Sequence, residues 1–189
     1  MTEPAEEQVD WIDADGNTLA SLPRSEIRRR NLLHRTSATL VFHPDGRVFV
    51  HRRAAEKDLY PSRHDPFVAG TVVSGESWEA NACREMAEEL GVSGVPIHPL
   101  FDYAFRHPVA SSLVRMFACV YGGKLRLQPS EVAWGSWHDE AAVAALLAQD
   151  RILPRGRRGW EGYLAQYGEG RNFARDIAPG LQRFDCAGV

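Results

Sequence analysis

The sequence predicts an α/β (α+β) sandwich of strands and helices. Short apolar runs with strand-like composition recur along the chain, interleaved with two or three segments of helical pattern. Clusters of Asp, Asn, Gly and Pro punctuate those runs as turns do. The 189 residues, 44% of them hydrophobic, suffice for one domain with a sizeable core and modest extensions. The division expected is an N-terminal extension over 1–33, a principal domain over 34–167 and a C-terminal tail over 168–189.

Taken in order, residues 1–9 are polar and read as loose. Val9 to Asp13 reads as a short strand, followed by a turn over Asp13-Ala14-Asp15-Gly16-Asn17. Pro23, Arg24 and Ser25 lead into a short basic helix, Ser25 to Leu33. Thr36 to Phe42 is rich in β-branched and apolar residues. With the turn Pro44-Asp45-Gly46 and the alternating Arg47 to Arg52 it makes a hairpin. A loop containing two prolines spans Ala54 to Pro66, and Val68 to Val73 is a short apolar strand. Ser77 to Leu90 reads as a helix that Gly91 ends. Pro96 to Tyr103 and Ser112 to Tyr121 read as strands joined by Arg106 to Ala110. Glu131 to Trp137 is a further strand, and Glu140 to Gln149 and Gly159 to Tyr167 are further helices. Gly168 to Val189 reads as an irregular tail. No internal repeat or low-complexity block occurs.

With 22 basic and 25 acidic residues the net charge is −3, and no segment has the basic excess of a duplex-binding surface. No partner nucleic acid is expected. The acidic opening MTEPAEEQVD lacks the apolar stretch of a secretory signal. No run reaches the ~18–20 apolar residues of a membrane span. A cytoplasmic protein is expected. Cys83, Cys119 and Cys186 lack metal-ligand spacing and are expected to be reduced thiols.

The chemistry concentrates in GTVVSGESWEANACREMAEELGV, Gly70 to Val92. At ~100° per residue Glu85, Glu88 and Glu89 fall within a ~100° arc, with Ala82, Cys83, Met86, Ala87 and Leu90 on the adjoining arc. Like charges at these spacings destabilise a bare helix by ~0.2–0.5 kcal/mol per pair. Arg84 can neutralise one carboxylate. A hard divalent cation, which takes oxygen ligands, can neutralise the rest: Mg²⁺, with Mn²⁺ as a substitute. A solvated acidic helix face would explain Glu88-Glu89 alone, but not the glycines at both ends.

The pattern Gly70, Glu76, Arg84, Glu85, Glu88, Glu89 and Gly91 resembles the Nudix box at every defining position. At a background of ~7% per residue, seven fixed matches have a chance of ~10⁻⁸ per starting point. The resemblance implies a Nudix-type α/β/α sandwich with a mixed β-sheet, and metal-assisted substitution at phosphorus. In that chemistry the cation bridges phosphate oxygens and acidifies a bound water, and a carboxylate takes the proton. It further implies Glu85, Glu88, Glu89 and the Gly70 carbonyl as metal ligands, Glu88, Glu89 or Glu131 as the base, and Glu76 as a brace acting through Arg84.

Upstream, HRRAAEKDLYP (His51 to Pro61) is similar to the segment before the box in isopentenyl-diphosphate isomerases and in related bacterial Nudix hydrolases. That similarity nominates Arg52, Arg53 and Lys57 as phosphate contacts; a solvated basic strand end is the alternative. Ala69 stands where the isomerases place a cysteine, SSLVRMFACVY lacks their glutamate, and Thr71 replaces a histidine. His34 matches another of their histidines and is expected to be structural. These departures favour hydrolysis. Tyr60, Phe67, Phe101, Tyr103 and Phe105 lie where one or two could stack on a base or hold a prenyl tail. The activity expected is Mg²⁺-dependent cleavage of a phosphoanhydride in a nucleoside diphosphate derivative, a small-molecule diphosphate substrate. The alternatives are prenyl-diphosphate isomerisation or hydrolysis, and non-catalytic nucleotide sensing. The tail could cover the site or the partner in a homodimer.

Overall fold

A computed structural model describes residues 6–186. The chain opens with a hairpin, β1 (Gln8–Ile12) and β2 (Thr18–Pro23), and a single short helix, α1 (Arg24–Arg29). Then come β3 (His34–Phe42), β4 (Val48–Arg53), β5 (His64–Asp65), β6 (Phe67–Thr71) and helix α2 (Trp78–Leu90). The long hairpin β7 (Pro96–His107) and β8 (Ala110–Val120) precedes β9 (Val132–His138). Helices α3 (Glu140–Ala148) and α4 (Pro154–Tyr167) and the short strand β10 (Phe184–Asp185) complete the described chain.

β3 organises the main sheet. It runs parallel to β8, with Thr36 opposite Val114, and antiparallel to β6, with Ser37 opposite Gly70. The sheet is therefore mixed, and β4 pairs with β9 along one edge and, at His51 and Arg52, with β5 along the other. Strand alternation divides the core. Ala38, Leu40 and Phe42 face the side covered by α3, α4 and the tail, where Val143, Trp160, Tyr163 and Phe173 pack on them. Val41 faces the other side, against Ala82, Cys83, Met86 and Leu90 of α2. This is the α/β/α sandwich. No helix among the described residues is long and apolar enough to cross a membrane.

Several boundaries differ from expectation. Residues 1–5 lie outside the described set, but Gln8 already belongs to β1, which pairs with β2, a strand the sequence reading does not contain. α1 stops at Arg29, before Asn31 takes a left-handed φ of 50°. The proline loop contains β5. β7 runs on through the expected connector, because His107 pairs with Ala110 across a turn of only Pro108 and Val109. α4 starts at Pro154, and Pro at the first helical position lacks only an N–H that would be unpaired anyway.

The tail is structured. A π-helical turn at Phe173–Ile177 buries Phe173 and Ile177 in the core, and β10 pairs with β7. Cys83 and Cys186 are disulfide-bonded, which corrects the expectation of reduced thiols for both. Return of the tail along β7 brings their Cα atoms to 5.6 Å, within the span a disulfide bridges. Cys119 is free and buried, and burial pushes its thiol up to about 12.

Candidate active site

Helix α2 is fixed at both ends. The Ser77 hydroxyl accepts from the Ala80 N–H at 3.1 Å, capping the first turn. Gly91, at φ 67°, closes the last, with Gly91 N–H on Ala87 O and Val92 N–H on Met86 O. A Cβ at Gly91 would also meet Arg126 at 2.9 Å. With Ala82, Met86 and Leu90 buried against the sheet, the acidic arc turns toward the end of β3 and β6.

There the acids take three different environments. Glu85 lies against Gly70 so closely that a Cβ on that glycine would overlap the Glu85 carboxylate. Arg84 donates to Glu76 through Nε (3.0 Å) and Nη2 (3.2 Å), and through Nη1 to Glu85 (2.9 Å) and Glu88 (3.1 Å). Glu76 is held in turn by Asn81 at 2.9 Å, and Asn81 accepts from Ser37 of β3 at 2.6 Å. Glu76 and Arg84 are thus joined by two hydrogen bonds and linked through Asn81 to the sheet. Glu89 is 6% exposed and has neither an ion pair nor a side-chain hydrogen bond among the described residues. Burial, then Glu85 and Glu131, push its carboxyl far above the usual range. Burial also raises Glu85, with Arg84 opposing it. Glu131 sits just before β9 and is ion-paired to Lys57, while its carbonyl accepts from the Ala54 N–H at 2.9 Å.

Glu85, Glu88, Glu89 and Glu131 line one cavity of about 790 Å³. Gly70, Arg84 and Lys57 line it too, and Arg53 with them. Arg52 does not. It follows His51 on β4, its side chain emerges on the opposite face from that of Arg53, and it is exposed with Trp134 opposite in register. Of the nominated basic residues, Arg53 and Lys57 are brought to the site and Arg52 is not. Tyr60 and Phe105 reach the cavity, whereas Phe67 is core and Phe101 and Tyr103 pack against it. His34 lines the cavity with its ring fixed to Leu32 O at 2.9 Å; burial, and nearby Arg155, Arg24 and Arg28, lower it to about 4.

The sequence reading omitted Arg24, Arg28 and Arg155 from the site, although all three line the cavity. The basic run around α1 was visible, but nothing local shows that the extension folds back over the β7–β8 turn. Asn31 of that extension donates to His107 O at 2.9 Å and Pro108 O at 3.2 Å. Fully buried Asp65 stands behind Arg155 at 3.8 Å, and burial lifts its carboxyl to about 6 against the pull of Arg155 and Arg53.

An α/β/α sandwich that sets a capped acidic helix beside cationic side chains in one cavity defines a protein built to hold anions next to carboxylates. The chain belongs to the Nudix family: the NUDIX domain matches residues 32–156. It is a hydrolase acting on acid anhydrides in phosphorus-containing compounds. A protein named as an uncharacterized Nudix hydrolase in Streptomyces coelicolor is 34% identical over 168 residues, 84% of this chain and 92% of that one. Another from Pseudomonas aeruginosa is 34% identical over 127 residues, 67% of this chain and 75% of its own length. A Deinococcus radiodurans crystal structure shares the fold with a TM-score of 0.73 at 22% identity, covering 85% of this chain and 99% of that chain. The Nudix domain of Shewanella oneidensis NrtR, crystallised with ADP-ribose, shares it at a TM-score of 0.58 and 16% identity, covering 76% and 98%.

Proposed function

We propose that this chain is a Mg²⁺-dependent diphosphohydrolase that cleaves a phosphoanhydride in a nucleoside diphosphate derivative by attack of water. The observation that carries the reading is Glu89: a buried carboxyl without a partner, beside Glu85 and Glu131, in a cavity that also holds Arg53 and Arg155. Burying a charge without compensation is costly, and an all-oxygen donor set suits a hard divalent ion. The residues fit such an ion in chemistry, although no three His, Cys, Asp or Glu side chains among the described residues stand ready as a cage. Arg84 engages Glu85 and Glu88, and Lys57 engages Glu131.

Glu85, Glu88 and Glu89, with the Gly70 carbonyl, would hold Mg²⁺ or Mn²⁺. When bound, the ion neutralises phosphate charge and acidifies a water. Glu89, whose carboxyl would release its proton to solvent when a cation sits beside it, takes the proton of the attacking water, because Glu88 and Glu131 are engaged by Arg84 and Lys57. Arg53 and Lys57 grip phosphate oxygens, and Tyr60 and Phe105 flank the base. Tyr60 OH is within 2.9 Å of His107 Nδ1, and the Phe105 ring stacks on His107, so both aromatics are pre-positioned. The ADP-ribose bound by the Shewanella domain is a nucleoside diphosphate derivative and supports that substrate class.

The test is phosphate and pyrophosphate release from a panel of nucleotides, dinucleotides, nucleotide sugars and coenzyme A. Release with Mg²⁺ and none with EDTA is expected. A nucleotide that raises the melting temperature but is never cleaved would make the domain a sensor instead.

A further inference from the structure

We propose that the N-terminal extension completes the substrate site, with Arg24 and Arg28 of α1 and Arg155 of α4 binding a phosphate group beyond the two that flank the scissile bond. The proposal rests on the reading of the cavity as a diphosphate site, and extends it to a substrate class with at least one further phosphate. Arg24 and Arg28 lie outside residues 32–156, which match the family domain, yet both line the cavity.

The six Arg and Lys side chains of the lining are matched in number by its six Asp and Glu, and it is the pairing on the α1 side that points to an anion. Arg24, Arg28, Arg53, Lys57 and Arg155 share this one space. Lys57 is paired with Glu131, and Arg53 has no carboxylate within ion-pair distance among the described residues; its Nε donates to Leu59 O at 3.2 Å. Among the described residues Arg155 has only the long ion-pair contact to buried Asp65. Arg24 pairs with Glu7 at 3.0 Å and Arg28 with Asp58, but these carboxylates are 33% and 54% exposed and can turn to solvent when a phosphate arrives. The Nε of Arg24, a residue of the cavity wall, is buried with no hydrogen-bond partner among the described residues. The guanidiniums are also close enough to disturb one another: after burial, Arg24 and Arg53 are what depress Arg28, which still stays protonated at neutral pH. Such a group of fork-shaped donors matches the oxygens of a phosphate.

The wall is held in place rather than loosely attached. Ile27 of α1 is buried, Arg24 N–H donates to Glu7 O at 2.8 Å, and Ile12 N–H donates to Leu33 O at 2.9 Å.

The experiment is calorimetric titration of pyrophosphate and tripolyphosphate, in EDTA, into the full chain and into the Arg24→Ala/Arg28→Ala double variant. Arg28→Gln serves as a milder second variant, and Arg52→Ala, outside the cavity, as control; melting curves check folding. Wild type and Arg52→Ala should prefer tripolyphosphate by about tenfold, equivalent to ~1.4 kcal/mol. The double variant should reduce that preference to less than about threefold, and Arg28→Gln should reduce it in part. No preference in wild type, or a preference undiminished in both variants, would overturn the proposal. Mg²⁺-dependent hydrolysis without the preference would remove this inference and leave the hydrolase reading standing. The preference without hydrolysis of any compound would do the reverse.

Discussion

At the scale of single residues the account depends on what each carboxylate faces. The helical spacing made Glu85, Glu88 and Glu89 legible as one arc, because 3.6 residues per turn leaves no other geometry. Their separate environments were not legible, since those come from Gly70, Arg84 and Lys57 on other segments or faces. Arg52 and Arg53 show a related limit: adjacent strand residues point to opposite faces, so only one of them could reach the cavity. We predict that Glu89→Gln lowers turnover by about 10²-fold or more, in the range of general-base losses. Because it replaces a buried carboxyl that has no partner among the described residues and that burial already disfavours in its charged form, its melting temperature should equal or exceed that of wild type. Unchanged turnover would place the base elsewhere. A second prediction concerns His51, which is fully buried with Nδ1 unpaired and is lowered to about 3 by burial, then by Arg53 and His64. The unfolded chain takes up this proton below about pH 6.5, whereas the folded one does not until about pH 3. Stability should therefore fall as pH drops through that window. His51→Leu should flatten the slope by up to ~1.4 kcal/mol per pH unit, measured by denaturant unfolding.

At the scale of elements, α2 was read almost to the residue because its Ser77 cap and Gly91 terminator both work locally. α4 was read five residues late, from Gly159 rather than Pro154, because the glycines of PRGRRGWEGY look like helix breakers. They are contact residues instead: a Cβ at Gly159 would meet Phe67 and Tyr103 at 3.0–3.1 Å, and one at Gly162 would meet Phe101 at 3.0 Å. These glycines let the helix lie close on the sheet and place Arg155 at the cavity. Gly159→Val should therefore destabilise the fold by about 1–3 kcal/mol through overpacking. Chemical denaturation checks this, and a gain in stability would mean the helix has room to move away.

At the scale of the molecule, the sandwich was legible from strand and helix patterning, but its closure was not. The tail residues 168–186 carry few apolar side chains, yet Phe173 and Ile177 enter one core layer and Cys186 bonds to Cys83 behind the acidic helix. No local pattern links cysteines 103 residues apart. Cys186→Ser, or reduction, should lower stability by about 2–4 kcal/mol, the range for closing a long loop. Equal melting temperatures with and without reductant would show that the tail holds by packing alone. The central claim is that the α2 carboxylates gather a cation beside a phosphate chain. Its most direct test is Mn²⁺ binding, followed by electron paramagnetic resonance, with a methylene-bridged, non-hydrolysable nucleoside diphosphate present. Wild type should bind Mn²⁺ saturably, and Glu85→Gln/Glu89→Gln should bind it at least about tenfold more weakly. Equal Mn²⁺ affinity in the two proteins would contradict the account.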